Sequence, residues 1–139
     1  MFTAFGYLES EEEDLKVLRQ AAKALKPGGQ LLLDLLNREW VVSNYIQNEW
    51  RETEDGTIYL EHRELDLVTS RNRVTVTVVP PEDDDQHTTG FEVRLYTLTE
   101  IVAMLEQAGL AFVDVYGGFD GESYSIATRR MVVVARKAA

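Results

Sequence analysis

The sequence predicts an α/β fold interrupted by an antiparallel β flap. Three observations predict it. Helical periodicity appears near both ends of the chain, each time closed by a glycine stop and followed by a short apolar run. Between these stretches, apolar and polar residues alternate as they do in half-exposed strands. No internal repeat or low-complexity tract competes with that order. The expected organisation is a single domain. In it, residues 1–37 and 96–139 form a partial α/β sheet, and residues 38–95 form an inserted helix and the flap.

The first helix is expected from Ser10 to Lys26. Ser10 and Glu13 have the spacing of a capping box, in which each side chain satisfies a free N–H at the helix start. Glu11, Glu12, Glu13 and Asp14 crowd the first turn, where the helix dipole favours negative charge. Leu15, Leu18, Ala22 and Leu25 give one buried stripe, and Pro27-Gly28-Gly29 ends the helix. Gln30 to Leu36 is a short, nearly continuous apolar run. It fits a strand covered on both faces, with a buried helix as the alternative; the Gly turn and the shortness favour strand. Arg38 to Ile46 is expected to be a short helix offering Trp40, Val41 and Tyr45 to one face.

Thr57 to Leu67 and Arg73 to Val79 alternate, with a turn expected over Val68 to Asn72. Pro80-Pro81 ends that ladder, and the acidic run that follows is a solvated loop. Thr89 to Leu95 is a third alternating strand. Thr97 and Glu100 form a second capping box, with Tyr96 and Ile101 placed as its hydrophobic staple. Ile101, Met104, Leu105 and Ala108 make the apolar face, and Gly109 stops the helix. Strands are expected at Ala111 to Tyr116 and Met131 to Ala135.

Composition removes several classes of function. The length of 139 residues suits one domain with one core, and a hydrophobic fraction of 45% is far above that of a disordered chain. Lys and Arg number 14 against 24 Asp and Glu, a net charge of −10. Such a surface repels phosphate backbones and anionic membranes, so neither nucleic acid nor a membrane is an expected partner. The absence of cysteine excludes disulfides, thiolate zinc sites and cysteine nucleophiles, and it fits a cytoplasmic protein. No apolar run approaches the roughly 20 residues of a membrane span. The N-terminus has no basic stretch before its apolar residues, unlike a signal peptide.

No single motif carries catalysis. Gly117-Gly118-Phe119-Asp120-Gly121 has the glycines of a phosphate loop but no helix behind it, so a plain turn is the better account. His62 and His87 lie in flap strands without a partner motif. Glu82 to Asp85 lacks the spacing and central glycine of a calcium loop, and no metal site is expected. Met1 to Tyr7 is apolar and aromatic. It covers a core or lines an apolar pocket. Arg94, Tyr96, Tyr124, Arg129 and Arg130 are polar residues near strand ends, where surface ion pairs compete with substrate clamps as explanations.

Several segments, taken in order, resemble a known family. They are Met1 to Leu8, the acidic helix start, and Leu25-Lys26-Pro27-Gly28-Gly29-Gln30 with the apolar strand behind it. Arg94 to Thr97, Gln107-Ala108-Gly109-Leu110, Tyr116-Gly117 and Arg130 to Lys137 follow. This set resembles the C-terminal half of class I S-adenosylmethionine-dependent methyltransferases, over nearly the whole chain. The resemblance implies a partial Rossmann-like methyltransferase sheet: the family's strand five, the flap, and strands six and seven. It implies that Met1 falls where strand four ends. The family holds its cofactor on a Gly-rich loop after strand one and an acidic residue after strand two, and neither is in this sequence.

By that resemblance, Phe2 and Phe5 are a remnant of the cofactor site, and Phe5, Gly6 and Tyr7 face the transferred methyl. Gly6, Tyr7, Arg94, Tyr96, Tyr124 and Arg129 face a small-molecule substrate. S-adenosylmethionine is the family's cofactor, and this chain alone is expected to bind it poorly and to be inactive. A non-catalytic oligomerising or ligand-binding module is the alternative. Without strand four, Gln30 to Leu36 is left as an apolar edge, so a homodimer or higher oligomer is expected.

Overall fold

The computed structural model describes residues 10–82 and 85–139. In chain order the elements are α1 (Glu11–Ala24), β1 (Gln30–Leu36), α2 (Arg38–Ser43), β2 (Asn48–Glu52) and β3 (Ile58–Asp66). They continue with β4 (Arg71–Val79), β5 (His87–Arg94), α3 (Leu98–Gln107), β6 (Leu110–Tyr116) and β7 (Arg130–Lys137). The expected α/β class with an antiparallel flap is what forms. Contacts divide the chain into two units, one ending at Asn44 and resuming at Leu95, the other spanning Tyr45–Arg94.

The first unit is a three-stranded sheet in the order β1-β7-β6, with α1 and α3 against it. Both strand pairs are antiparallel; β1 meets β7 with Leu33 opposite Val133, and β6 meets it with Val115 opposite the same valine. One face of the sheet supplies Leu33, Leu35, Met131, Val133 and Ala135 to the core. Leu18 and Ala22 of α1 and Ile101 and Leu105 of α3 close over them. Each fully buried Leu or Ile is worth about 1.5–3 kcal/mol, so this layer is the main source of stability. On the opposite face of β1, Leu32, Asp34 and Leu36 are only half-buried among the described residues. The cover expected on both faces is therefore partial. Among the described residues, no strand pairs with the outer edge of β1.

Capping differs between the two helices. At α1 the Ser10 hydroxyl accepts from the Glu13 N–H at 3.2 Å, but the Glu13 carboxylate turns to Lys16 Nζ at 3.3 Å. The expected box is thus replaced by a single cap and an i,i+3 ion pair. At α3 the box is complete: the Glu100 N–H donates to Thr97 Oγ1 at 3.2 Å and the Thr97 N–H to Glu100 Oε1 at 2.9 Å. Tyr96 and Ile101, the two staple residues, both lie in the core. Gly109 ends the helix at φ +85°, a backbone conformation that favours glycine.

Asp14 is not a solvated first-turn acid. It is fully buried, and the Tyr96 hydroxyl donates to its Oδ2 at 2.5 Å. This bond ties the start of α1 to the entry of α3. A carboxylate at that depth depends on such partners.

The second unit is a four-stranded antiparallel meander, β2-β3-β4-β5. The strand β2 is not foreseen by the sequence pattern, and all five of its residues are exposed. The Asp55 carboxylate organises the β2–β3 turn, accepting from the Thr57 N–H and hydroxyl, each at 3.1 Å. The Thr53 hydroxyl, followed by these Thr57 donors, holds its pKa below the usual carboxylate range. The β3–β4 turn falls at 67–70, earlier than expected, because Asp66 Oδ1 accepts from the Val68 N–H at 2.9 Å and forces the chain around there. The inserted helix ends at Ser43 instead of Ile46; Tyr45 instead donates its hydroxyl to the Arg63 carbonyl at 2.6 Å.

Thr97→Ala removes the hydroxyl half of the α3 box, the acceptor of the Glu100 N–H, and leaves the backbone N–H of residue 97 on the Glu100 carboxylate. Unfolding in denaturant should show a loss of about 1 kcal/mol. An unchanged midpoint would mean that another group caps α3.

Candidate functional site

In open α/β sheets, ligands bind beyond the carboxyl ends of the strands. At the carboxyl end of β1 stands Asn37, which is fully buried. Its Nδ2 donates to the carbonyls of Ser125 at 2.8 Å and Thr128 at 2.7 Å. Its Oδ1 accepts from the Glu39 N–H and from the Tyr124 hydroxyl, each at 3.2 Å. Its own N–H donates to the Arg129 carbonyl at 2.9 Å. One asparagine thus caps α2 and clamps the loop between β6 and β7, using all of its side-chain capacity for donation.

That loop is a closed turn. The Gly117 N–H donates to the Glu122 carbonyl at 2.7 Å, and Tyr116 bridges Ser123. A Cβ on Gly117 would lie 2.4 Å from Thr128 Cγ2, so glycine permits the close return of the chain. No helix follows, and the plain-turn account of these glycines holds.

Around Asn37 the side chains are aromatic and cationic. The Arg129 guanidinium lies over the Trp40 ring, 5.5 Å from its centroid. Arg130 grips Asp34 with two bonds of 2.8 Å and also lies over Phe119. Burial, and then the Glu39 carboxylate, raise the Tyr124 phenol above its ordinary pKa. Tyr124 is therefore a neutral phenol across the physiological range. Its proton is committed to Asn37, and its lone pairs remain free to accept. The cluster can orient a ligand; it contains no activated nucleophile.

The structure brings two of the expected site residues together here, Tyr124 and Arg129, both through Asn37. Tyr96 is 3% exposed and bonded to Asp14. Arg94, at the end of β5, is 7% exposed. Phe2, Phe5, Gly6 and Tyr7 lie outside the described residues. Asn37 and Asn72 escape a reading by sequence alone. The buried Oδ1 of Asn72, on β4, has no partner among the described residues. His62 is held between Asn48 and Glu64 on the flap. Among the described residues, no three His, Cys, Asp or Glu are grouped to hold a metal, and no helix is long and apolar enough to cross a membrane.

No protein-family model and no curated protein matches the chain. Solved structures do. The CcbJ methyltransferase from Streptomyces caelestis superposes with a TM-score of 0.87 at 24% identity, over 99% of this chain and 55% of its own. A S-adenosylmethionine-dependent methyltransferase from Clostridium acetobutylicum gives 0.81 at 14% identity, over 98% and 55%. CalS10, an amino pentose methyltransferase from Micromonospora echinaspora solved with S-adenosylmethionine bound, gives 0.65 at 19% identity, over 99% and 56%. The chain therefore has the fold of part of a S-adenosylmethionine-dependent methyltransferase, and it spans about half the length of these structures. The described residues do not supply the glycine loop that would hold the cofactor. Among the described residues, no glycine loop runs from a strand into a helix, and Gly28, Gly56, Gly109 and Gly121, with positive φ, sit in other turns.

Asn37→Ala leaves the Ser125 and Thr128 carbonyls without their donor. The expected cost is about 1–3 kcal/mol. The variant should also move the Tyr124 titration back toward its ordinary value as the loop loosens. Tyrosinate absorbance against pH, with Tyr124→Phe to assign the step, reads this directly. In the folded protein the raised phenol pKa contributes stability below the unfolded pKa of about 10, which is lost as pH rises through the folded value. An unmoved Tyr124 step in Asn37→Ala would show that the loop holds itself.

Proposed function

We propose that the chain is the substrate-side half of a S-adenosylmethionine-dependent methyltransferase acting on a small molecule, and that alone it is inactive. The observation that carries this is the end-to-end match with about 55% of each methyltransferase above. In this proposal the Asn37 cluster holds the methyl acceptor. Tyr124 accepts a hydrogen bond from it, and Arg129 supplies positive charge. The amino pentose named for CalS10 makes an amine-bearing small molecule the acceptor class to try first. Tyr96, Gly6 and Tyr7 complete the substrate side by the resemblance, and Phe2 and Phe5 the cofactor side. The cysteine-free sequence suits the cytoplasm.

Calorimetry with S-adenosylmethionine is expected to show no saturable binding tighter than about 10 μM, a free energy near −7 kcal/mol. Tighter binding would mean that the cofactor site does not need the Gly-rich loop. Extending the chain upstream in its own reading frame should restore binding if the half-enzyme proposal is right.

Among the described residues no strand pairs with the outer edge of β1, which favours a second reading alongside the first, an oligomerising module. We expect a homodimer or larger assembly at tens of micromolar. An apolar strand with an open edge recruits another strand, and a two-fold partner can supply it. The net charge of −10 opposes this, but screening limits the repulsion to about 8 Å at physiological salt. Sedimentation should report at least twice the mass of one chain. A clean monomer would show that the chain covers its own edge.

A further inference from the structure

A second, chemically distinct place lies at the other end of the first unit. A groove of about 510 Å³ runs between α1, the last turn of α3 and the end of β7. Four cationic side chains line it: Lys16, Arg19 and Lys23 from α1, and Lys137 from β7. The three on α1 stand at i, i+3 and i+7, one face of the helix. Among the described residues no Asp or Glu lines the groove, although the chain carries ten more acids than bases. The amides of Gln20 and Gln107 add donors, and Ala22 and Ala108 form a small apolar floor.

The cations are poorly neutralised. Lys16 meets Glu13 at 3.3 Å with both side chains largely exposed, a pairing worth little. Lys137 Nζ donates to the Leu25 carbonyl at 2.9 Å, which fixes its position but not its charge. Arg19 and Lys23 make no ion pair or hydrogen bond through their side chains among the described residues. The carbonyl end of α3 contributes only about half a negative charge. Four like charges facing one groove repel one another, and a bound polyanion would relieve that repulsion.

We propose that this groove binds the oligophosphate group of a small molecule. Several cations from two elements match a ligand bearing two or more negative charges better than a single carboxylate. The Arg19 fork, flanked by lysines one turn away on each side, suits tetrahedral phosphate oxygens. The volume falls in the usual small-molecule range, about 300–1,000 Å³. A nucleic-acid strand would have to run on over a surface of opposite preference. S-adenosylmethionine, with its sulfonium cation, is repelled here. The site therefore stands independently of the function proposed above.

The test is calorimetric titration of the whole chain with inorganic pyrophosphate, in about 50 mM salt so that screening is modest. The expected Kd is below about 1 mM. Arg19→Ala/Lys23→Ala should weaken it roughly tenfold or more, a loss of about 1.4 kcal/mol. The control, Arg51→Ala/Arg73→Ala, removes the same charge from the flap strands and should leave the affinity within about twofold. ADP serves as the second ligand: equal affinity assigns the site to phosphate alone, and tighter binding adds the apolar floor as a seat for an organic body. No saturable binding of either ligand, or equal losses in the groove and control variants, would overturn the proposal.

Discussion

In the sheet of the first unit, β7 hydrogen-bonds to two other described strands, and both run antiparallel to it. β1 and β6 are not hydrogen-bonded to each other, so the described sheet is joined through β7. That single constraint places both chemical ends of the unit. Because Leu36 faces Arg130, the residue after β1 meets the residue before β7, and Asn37 comes to lie against Arg129. Because Gln30 faces Arg136, the Pro-Gly-Gly turn meets Lys137 at the opposite end. There the Gly28 N–H donates to the Lys137 carbonyl and the Lys137 N–H to the Gly29 carbonyl, each at 2.9 Å. The aromatic cluster and the basic groove are thus two consequences of one register. A shift of one residue would turn Val133 and Leu33 out of the core and dismantle both.

How much of this the sequence discloses depends on what signal each element leaves. Elements that bury a stripe are legible: α1, α3, β1 and β7 all announce themselves through Leu, Ile, Val and Met at the right period. So does the α3 cap, since its partners are three residues apart. β2 leaves no such signal. Asn48 to Glu52 is exposed throughout, and its strand state is imposed by pairing with β3, with Trp50 opposite Leu60. The β3–β4 turn misleads for the converse reason. Leu67 looks like a strand residue, yet it is 64% exposed, because Asp66 takes the Val68 N–H for a local turn that begins one residue earlier than the pattern suggests.

The site residues divide along the same line. Tyr124 and Arg129 are visible as polar groups near strand ends. Asn37 is not, because its four side-chain partners come from positions 39, 124, 125 and 128 and nothing local marks them. Its position directly after an apolar strand and before a short helix is the one available hint, that of an N-cap. Asp14 is hidden in the same way. Four acids in a row read as a solvated helix start, and only the fold singles out the fourth by bringing it within hydrogen-bond reach of Tyr96, 82 residues away in sequence. Long-range polar contacts have no periodicity, so they are the part of a structure that a pattern cannot carry.

Charge segregation along α1 links the two ends of that helix to their different roles. Glu11, Glu12 and Glu13 stand at the amino end, and Lys16, Arg19 and Lys23 follow toward the carboxyl end. The helix dipole favours the acids of the first turn and, of the three cations, Lys23 in the last turn. That stabilisation of Lys23 offsets a small part of its repulsion by the other cations. The arrangement costs the fold little, and it collects positive charge on one flank of a chain whose net charge is −10. On an acidic chain, a groove lined by four cations draws anions toward it before any specific contact is made.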